Sequence, residues 1–96
     1  MTSTQVQCFM SVAEQLNFSK AALELFMAQS SLSKNISNLE TELGLKLFFR
    51  TKKSVSLTPA GAVLYEEFNK LMVQYNTAVE KAMSASLDQK APYALV

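Results

Sequence analysis

Residues 18–37 read Phe-Ser-Lys-Ala-Ala-Leu-Glu-Leu-Phe-Met-Ala-Gln-Ser-Ser-Leu-Ser-Lys-Asn-Ile-Ser, a pattern that predicts two short helices joined by a tight turn at Met27-Ala28-Gln29. On the first helix Ser19 reads as the N-cap, with Phe18 and Leu23 as a hydrophobic staple around it. Ala22, Leu23, Leu25 and Phe26 read as its inward face, and the small Ala21-Ala22 pair lets a second helix cross closely. The second helix runs from about Ser30 to Leu43, with Leu32, Ile36, Leu39 and Leu43 in a buried stripe. Gln29, Ser30, Ser33, Lys34, Ser37 and Asn38 fall off that stripe and point away from it. Amides, hydroxyls and a lysine on a protruding helix are the donors that base edges and phosphates in a nucleic-acid groove require.

The flanks extend the pattern. Val6, Phe9, Met10, Ala13 and Leu16 recur at helical spacing and predict a helix over 4–16. Thr2 and Gln5 form a capping box before it, and Asn17 is the expected stop. Gly44 is expected to close the helix that starts near Ser30, with Leu45 completing a Schellman motif. Leu47-Phe48-Phe49-Arg50 and Val55-Ser56-Leu57 are β-prone runs around Thr51-Lys52-Lys53-Ser54, a small hairpin with a basic tip. Thr58-Pro59 then pairs an N-cap with a first-turn proline. The helix it opens is expected to reach about Leu87, and Leu64, Phe68, Leu71, Tyr75, Ala78 and Ala82 give it a near-heptad seam. Such a helix is about 45 Å long at 1.5 Å per residue, longer than a small domain can cover. Its surplus apolar face, widened by Met72, Val79 and Met83, calls for a partner, and a second copy is the simplest one. Beyond residue 87 the periodicity fades and Pro92 opposes continuation, so residues 88–96 are expected to form a flexible tail.

Composition narrows the functional classes. The chain has 96 residues, one domain's worth, and 49% of them are hydrophobic, enough for a packed core. Cys8 is the single cysteine and there is no histidine, so no internal disulfide, Cys/His zinc set or histidine-based catalytic triad is expected. Glu66 and Glu67 are adjacent on a helix and do not face each other, so they read as a solvated face and not a paired carboxylate site. One of Phe48 and Phe49 is expected in the core, as strand alternation requires, which argues against a base-stacking pair. No apolar run is long enough to span a membrane and no signal peptide is evident, so a cytoplasmic protein without membrane association is the expectation. The net charge is only +1, but residues 20–53 carry +3 while residues 54–96 carry −1. A basic middle beside an acidic helix points to one charged face.

Taken in order, several segments resemble the N-terminal DNA-binding domain of the LysR-type transcriptional regulators. They are Phe9 to Glu14, Phe18 to Ala22, Gln29 to Ile36, Leu39-Glu40 through Leu43-Gly44, Leu47 to Thr51, and Leu57 to Gly61. The resemblance covers 4–87 without a gap. It implies a mainly α, winged helix-turn-helix fold over residues 1–58, with the helix-turn-helix at about 18–37. A linker helix at 59–87 would form a homodimer on a dyad-symmetric promoter site. The family usually continues into a domain that senses a small molecule, so an effector is expected to act only through a domain missing from this chain. Departures from the common pattern are Leu16 for a frequent Gly, Ala28 for a Ser or Thr cap, Ser30 for Pro, Lys34 for Arg and Asn35 for Gln. Capping of the reading helix is then expected to fall to Gln29 or Ser30.

On this reading the DNA-facing residues are Ser19, Gln29, Ser30, Ser31, Ser33, Lys34 and Ser37, with Arg50, Lys52 and Lys53 on the wing and Thr58 as cap and phosphate neighbour. Gln29 and Ser33 are the foremost groove candidates. The dimer seam is Leu64, Phe68, Leu71, Met72, Tyr75, Val79 and Met83. No cofactor, metal or enzymatic activity is expected. Two alternatives stand beside this reading: a winged-helix regulator of another type, such as the MarR type, and a helical protein-interaction module that uses the 64–87 seam and ignores DNA.

Overall fold

The computed structural model describes residues 1–88, and the order of elements is helix, helix, helix, hairpin, helix. Helix α1 spans Ser3–Gln15 and opens on the expected capping box, with Thr2 and Gln5 bonding each other's backbone N–H reciprocally. It ends one residue earlier than the periodicity suggests. Leu16, not Asn17, takes the left-handed conformation (φ 50°), and Asn17 is extended. That frees the Asn17 side chain to cap helix α2, Phe18–Glu24, by accepting from the Lys20 N–H at 2.9 Å. Ser19 is therefore not the N-cap but a residue of the first turn.

The expected inward face of α2 also changes. Phe18, Ala21 and Ala22 are the residues it buries, whereas Leu23 is 76% and Phe26 96% exposed. A seven-residue helix has no room for a full apolar stripe. The helix packs against α1 and against the next helix, α3 (Gln29–Leu43), with its two alanines buried and the larger side chains displaced outward. The link to α3 turns at Phe26 (φ 55°), with Leu25 donating to the Ala21 carbonyl and Met27 to that of Ala22.

Helix α3, Gln29–Leu43, buries Leu32, Ile36 and Leu39 as expected, with Leu43 half-buried. Ala28 occupies its N-cap position without a side-chain bond, and neither Gln29 nor Ser30 supplies one. At its other end Gly44 is left-handed (φ 69°), and the bonds Leu45 N–H to Glu40 carbonyl and Gly44 N–H to Thr41 carbonyl complete the Schellman pattern. Ser11 and Gln15 on α1 both bond the Glu24 carboxylate of α2, at 2.5 and 3.2 Å.

Strands β1 (Phe48–Arg50) and β2 (Val55–Leu57) pair antiparallel, with Phe48 opposite Leu57 and Arg50 opposite Val55. Phe48 is buried and Phe49 is exposed, as alternation demands. The Phe48 ring meets Phe9 at 5.6 Å and Phe18 edge-on at 6.1 Å, which ties the hairpin to α1 and α2. Cys8, Phe9, Val12, Leu32, Ile36, Leu39 and Leu47 are fully buried and form the core. Burial pushes the Cys8 thiol up from its ordinary range, so it behaves as a small apolar residue.

Helix α4 spans Pro59–Asp88. Thr58 holds its start: the hydroxyl accepts from the Gly61 N–H at 3.0 Å and donates to the Lys46 carbonyl at 2.6 Å. Gly61 has to be glycine, because a Cβ there would lie 2.1 Å from the Leu47 carbonyl oxygen. Residues 1–65 form one compact unit and the described remainder of α4 a second. On that second unit Glu66 and Glu67 are solvated and both pair with Lys70, which raises the Lys70 pKa, Glu67 contributing most. Asp88, expected to open the tail at 88–96, is still part of α4, and the rest of that tail lies outside the described residues.

Candidate nucleic-acid interface

Helix α2 buries Ala21 and Ala22 and α3 buries Leu32, Ile36 and Leu39, so the opposite face of α3 is left to solvent. On that outer face Gln29, Ser30, Ser31, Lys34 and Ser37 are exposed and Ser33 is half-buried. Ser19 and Gln29 are brought together across the turn, the Ser19 hydroxyl donating to Gln29 Oε1 at 2.9 Å. This bond occupies one lone pair of the Gln29 carbonyl and leaves its amide N–H groups free to donate.

The wing supplies the second wall. Asn17, Ser19, Gln29 and Ser33 on one side and Arg50, Thr51, Lys52, Lys53 and Ser54 on the other line a groove of about 340 Å³. Three cations and no carboxylate line it, so it is built for an anion or a polyanion. Lys52 and Lys53 are exposed at the tip. Their backbone is organised by Thr51, whose hydroxyl accepts from the N–H groups of Lys53 and Ser54 at 3.2 and 3.0 Å. Arg50 differs from the two lysines: its guanidinium stacks 4.4 Å from the centre of the Phe18 ring and lies 3.7 Å from Glu40.

Thr58 is placed otherwise than the phosphate role requires. It is 5% exposed, and its hydroxyl is engaged at both Lys46 and Gly61. Its cap function explains it fully. Asn17, Thr51 and Ser54 line the groove although sequence reasoning passed over them; an Asn before a short helix and a Thr opening a hairpin tip were the available signals.

On α4, Leu64 and Phe68 are half-buried, whereas Leu71, Met72, Tyr75, Val79 and Met83 are exposed by 41 to 64%. Among the described residues no group of three or more His, Cys, Asp or Glu is arranged to hold a metal ion, and no helix is long and apolar enough to cross a membrane.

Residues 3–62 match the family described as bacterial regulatory helix-turn-helix protein, lysR family. The chain is 45% identical over 73 residues to the HTH-type transcriptional regulator XapR of Escherichia coli (strain K12), covering 76% of this chain and 25% of that protein. It is 40% identical over 82 residues to the regulator AlsR of Bacillus subtilis (strain 168), covering 85% of this chain and 27% of that one. The chain thus spans about a quarter of the length of these curated relatives. Among solved structures, the DNA-binding domain of BenM in complex with catB site 1 DNA superposes with a TM-score of 0.80 at 34% identity, covering 95% of this chain and 100% of that one. The CbnR DNA-binding domain bound to DNA gives a TM-score of 0.80 at 27% identity, over 90% and 99% of the two chains. The chain belongs to the LysR family of bacterial helix-turn-helix regulatory proteins.

Proposed function

We propose that this chain binds double-stranded DNA sequence-specifically as the DNA-binding part of a LysR-type transcriptional regulator. The observation that carries the reading is the cationic, carboxylate-free groove between the outer face of α3 and the wing tip. Helix α3 enters the major groove and presents Gln29, Ser30, Ser33 and Lys34 to base edges and phosphates, with Ser31 and Ser37 towards the backbone. Ser19 orients Gln29 from behind. Lys52 and Lys53 meet the flanking backbone or minor groove. The BenM and CbnR domains, which share the fold, were captured on DNA, and this supports the same use here.

Residues 1–58 act as the winged helix-turn-helix and 59–87 as the linker helix. Two copies associate through Leu64, Phe68, Leu71, Met72, Tyr75, Val79 and Met83, which matches a dyad-symmetric promoter site. The relatives are about three times as long as this chain, and a small-molecule effector acts through a region that it does not span. The regulator works in the cytoplasm and catalyses no reaction.

Selection from a pool of random duplexes tests the reading. The chain should enrich a dyad whose half-sites are about one helical turn, or a multiple, apart. Lys34→Ala should weaken binding to the enriched duplex about tenfold, the scale of one base or phosphate contact, without unfolding the domain. An enriched duplex bound equally well by this variant refutes the assigned face. Steep weakening with salt separates this reading from an apolar interaction module.

A further inference from the structure

Glu40 is a carboxylate only 5% exposed, near the end of α3, and the DNA reading gives it no part. Its Oε2 accepts from the backbone N–H groups of Leu47 and Phe48, at 2.7 and 3.3 Å, where the chain enters the wing. An uncharged amide oxygen could accept from the same two donors, though less strongly. The charge is used at the other oxygen: Oε1 lies 3.7 Å from the Arg50 guanidinium and 4.0 Å from the Lys46 ammonium. Lys46 is largely solvated, whereas the Arg50 side chain is 35% exposed and has one face of its guanidinium over the Phe18 ring. Phe18 opens α2, Glu40 belongs to α3 and Arg50 ends β1, so one guanidinium joins three elements. Arginine alone among the cations has the flat face to stack and the fork to pair at once.

We propose that Glu40 is a positioning residue of the DNA interface: with the Phe18 ring it clamps Arg50, and the clamp holds Lys52 and Lys53 opposite Gln29 and Ser33. The proposal rests on the DNA reading above and deepens it. Arg50 acts mainly as the link that fixes where the wing stands.

The clamp makes a prediction opposite in sign to simple electrostatics. Removing a carboxylate from a surface that meets phosphates should strengthen binding if Glu40 acts only through its charge on DNA. If Glu40 holds the wing, Glu40→Gln weakens binding instead, although the amide oxygen still serves Leu47 and Phe48. The probe is the duplex enriched from the random pool by the wild-type chain, titrated at several salt concentrations, with folding checked by circular dichroism. Glu40→Gln should bind about two- to fivefold more weakly at every salt concentration, the scale of one lost, partly exposed ion pair. Phe18→Leu, which keeps apolar volume but removes the ring, should fall in the same direction. In an Arg50→Gln background, Glu40→Gln should cost nothing further, because the group it positions is gone; a purely structural role would still register there. Should Glu40→Gln fail to fold, the same cycle run with Phe18→Leu decides. Binding by Glu40→Gln equal to or tighter than wild type, or losses that add in the double variant, overturn the clamp. A wild-type chain that enriches no duplex overturns the DNA reading on which it rests.

Discussion

At the scale of single residues, positions that look interchangeable in composition answer to different physical demands. Gly61 is required for its size. The Leu47 carbonyl oxygen stands where a side chain would begin, so Gly61→Ala should destabilise the fold by about 1–3 kcal/mol, read as a lower urea midpoint. An unchanged midpoint would show that α4 shifts freely away from the wing. Leu16 poses the reverse case, a large residue in the left-handed conformation at the end of α1 that is 44% exposed. Leu16→Gly should stabilise by ~0.5–1 kcal/mol and raise the melting temperature, since relief of backbone strain outweighs the entropy glycine adds to the unfolded chain. A fall would mean that the buried part of Leu16 contributes more than its backbone costs. Such local rules were legible in the sequence where a side chain bonds within a few positions of itself. The Thr2–Gln5 box, the Gly44–Leu45 Schellman end and the Thr58 cap are all of that kind. The burial of Glu40 was not legible, because its partners at Leu47, Phe48 and Arg50 meet it only once the hairpin folds back.

Elements were legible in proportion to their length. Helix α3 and helix α4 repeat their apolar pattern over several turns, and both were located from it. Helix α2 is a single pair of turns, and there the ordinary expectation that Leu and Phe point inward failed at Leu23 and Phe26. Alanine filled the contact because three helices converge there and only small side chains fit. The same failure moved the cap from Ser19 to Asn17 and turned Ser19 towards Gln29. The wing makes a separate prediction at this scale. Lys53 is exposed at the tip and has no carboxylate beside it in the groove, so Lys53→Gln should lower affinity for all duplexes alike and reduce the salt slope by about 1. An unaltered slope would remove Lys53 from the phosphate-contacting set.

For the whole molecule, the question is what covers α4. Leu71, Tyr75, Val79 and Met83 leave an apolar row in water on a helix already 30 residues long, an arrangement that favours pairing with a like surface. Sedimentation should show a dimer that dissociates on dilution, and Tyr75→Glu should hold the chain monomeric and weaken operator binding by removing the second half-site. A wild-type chain that stays monomeric at high concentration would contradict the assigned seam. The uneven placement of charge also has a practical consequence. With a net charge of +1 and a sequence pI of about 7.8, the protein should hardly migrate in a native gel run near pH 8. Yet Lys52 and Lys53 stand exposed in a groove that no carboxylate lines, so a sulfated resin such as heparin should still retain it. Electrophoresis reports the sum of the charges, whereas a polyanionic matrix reports their address.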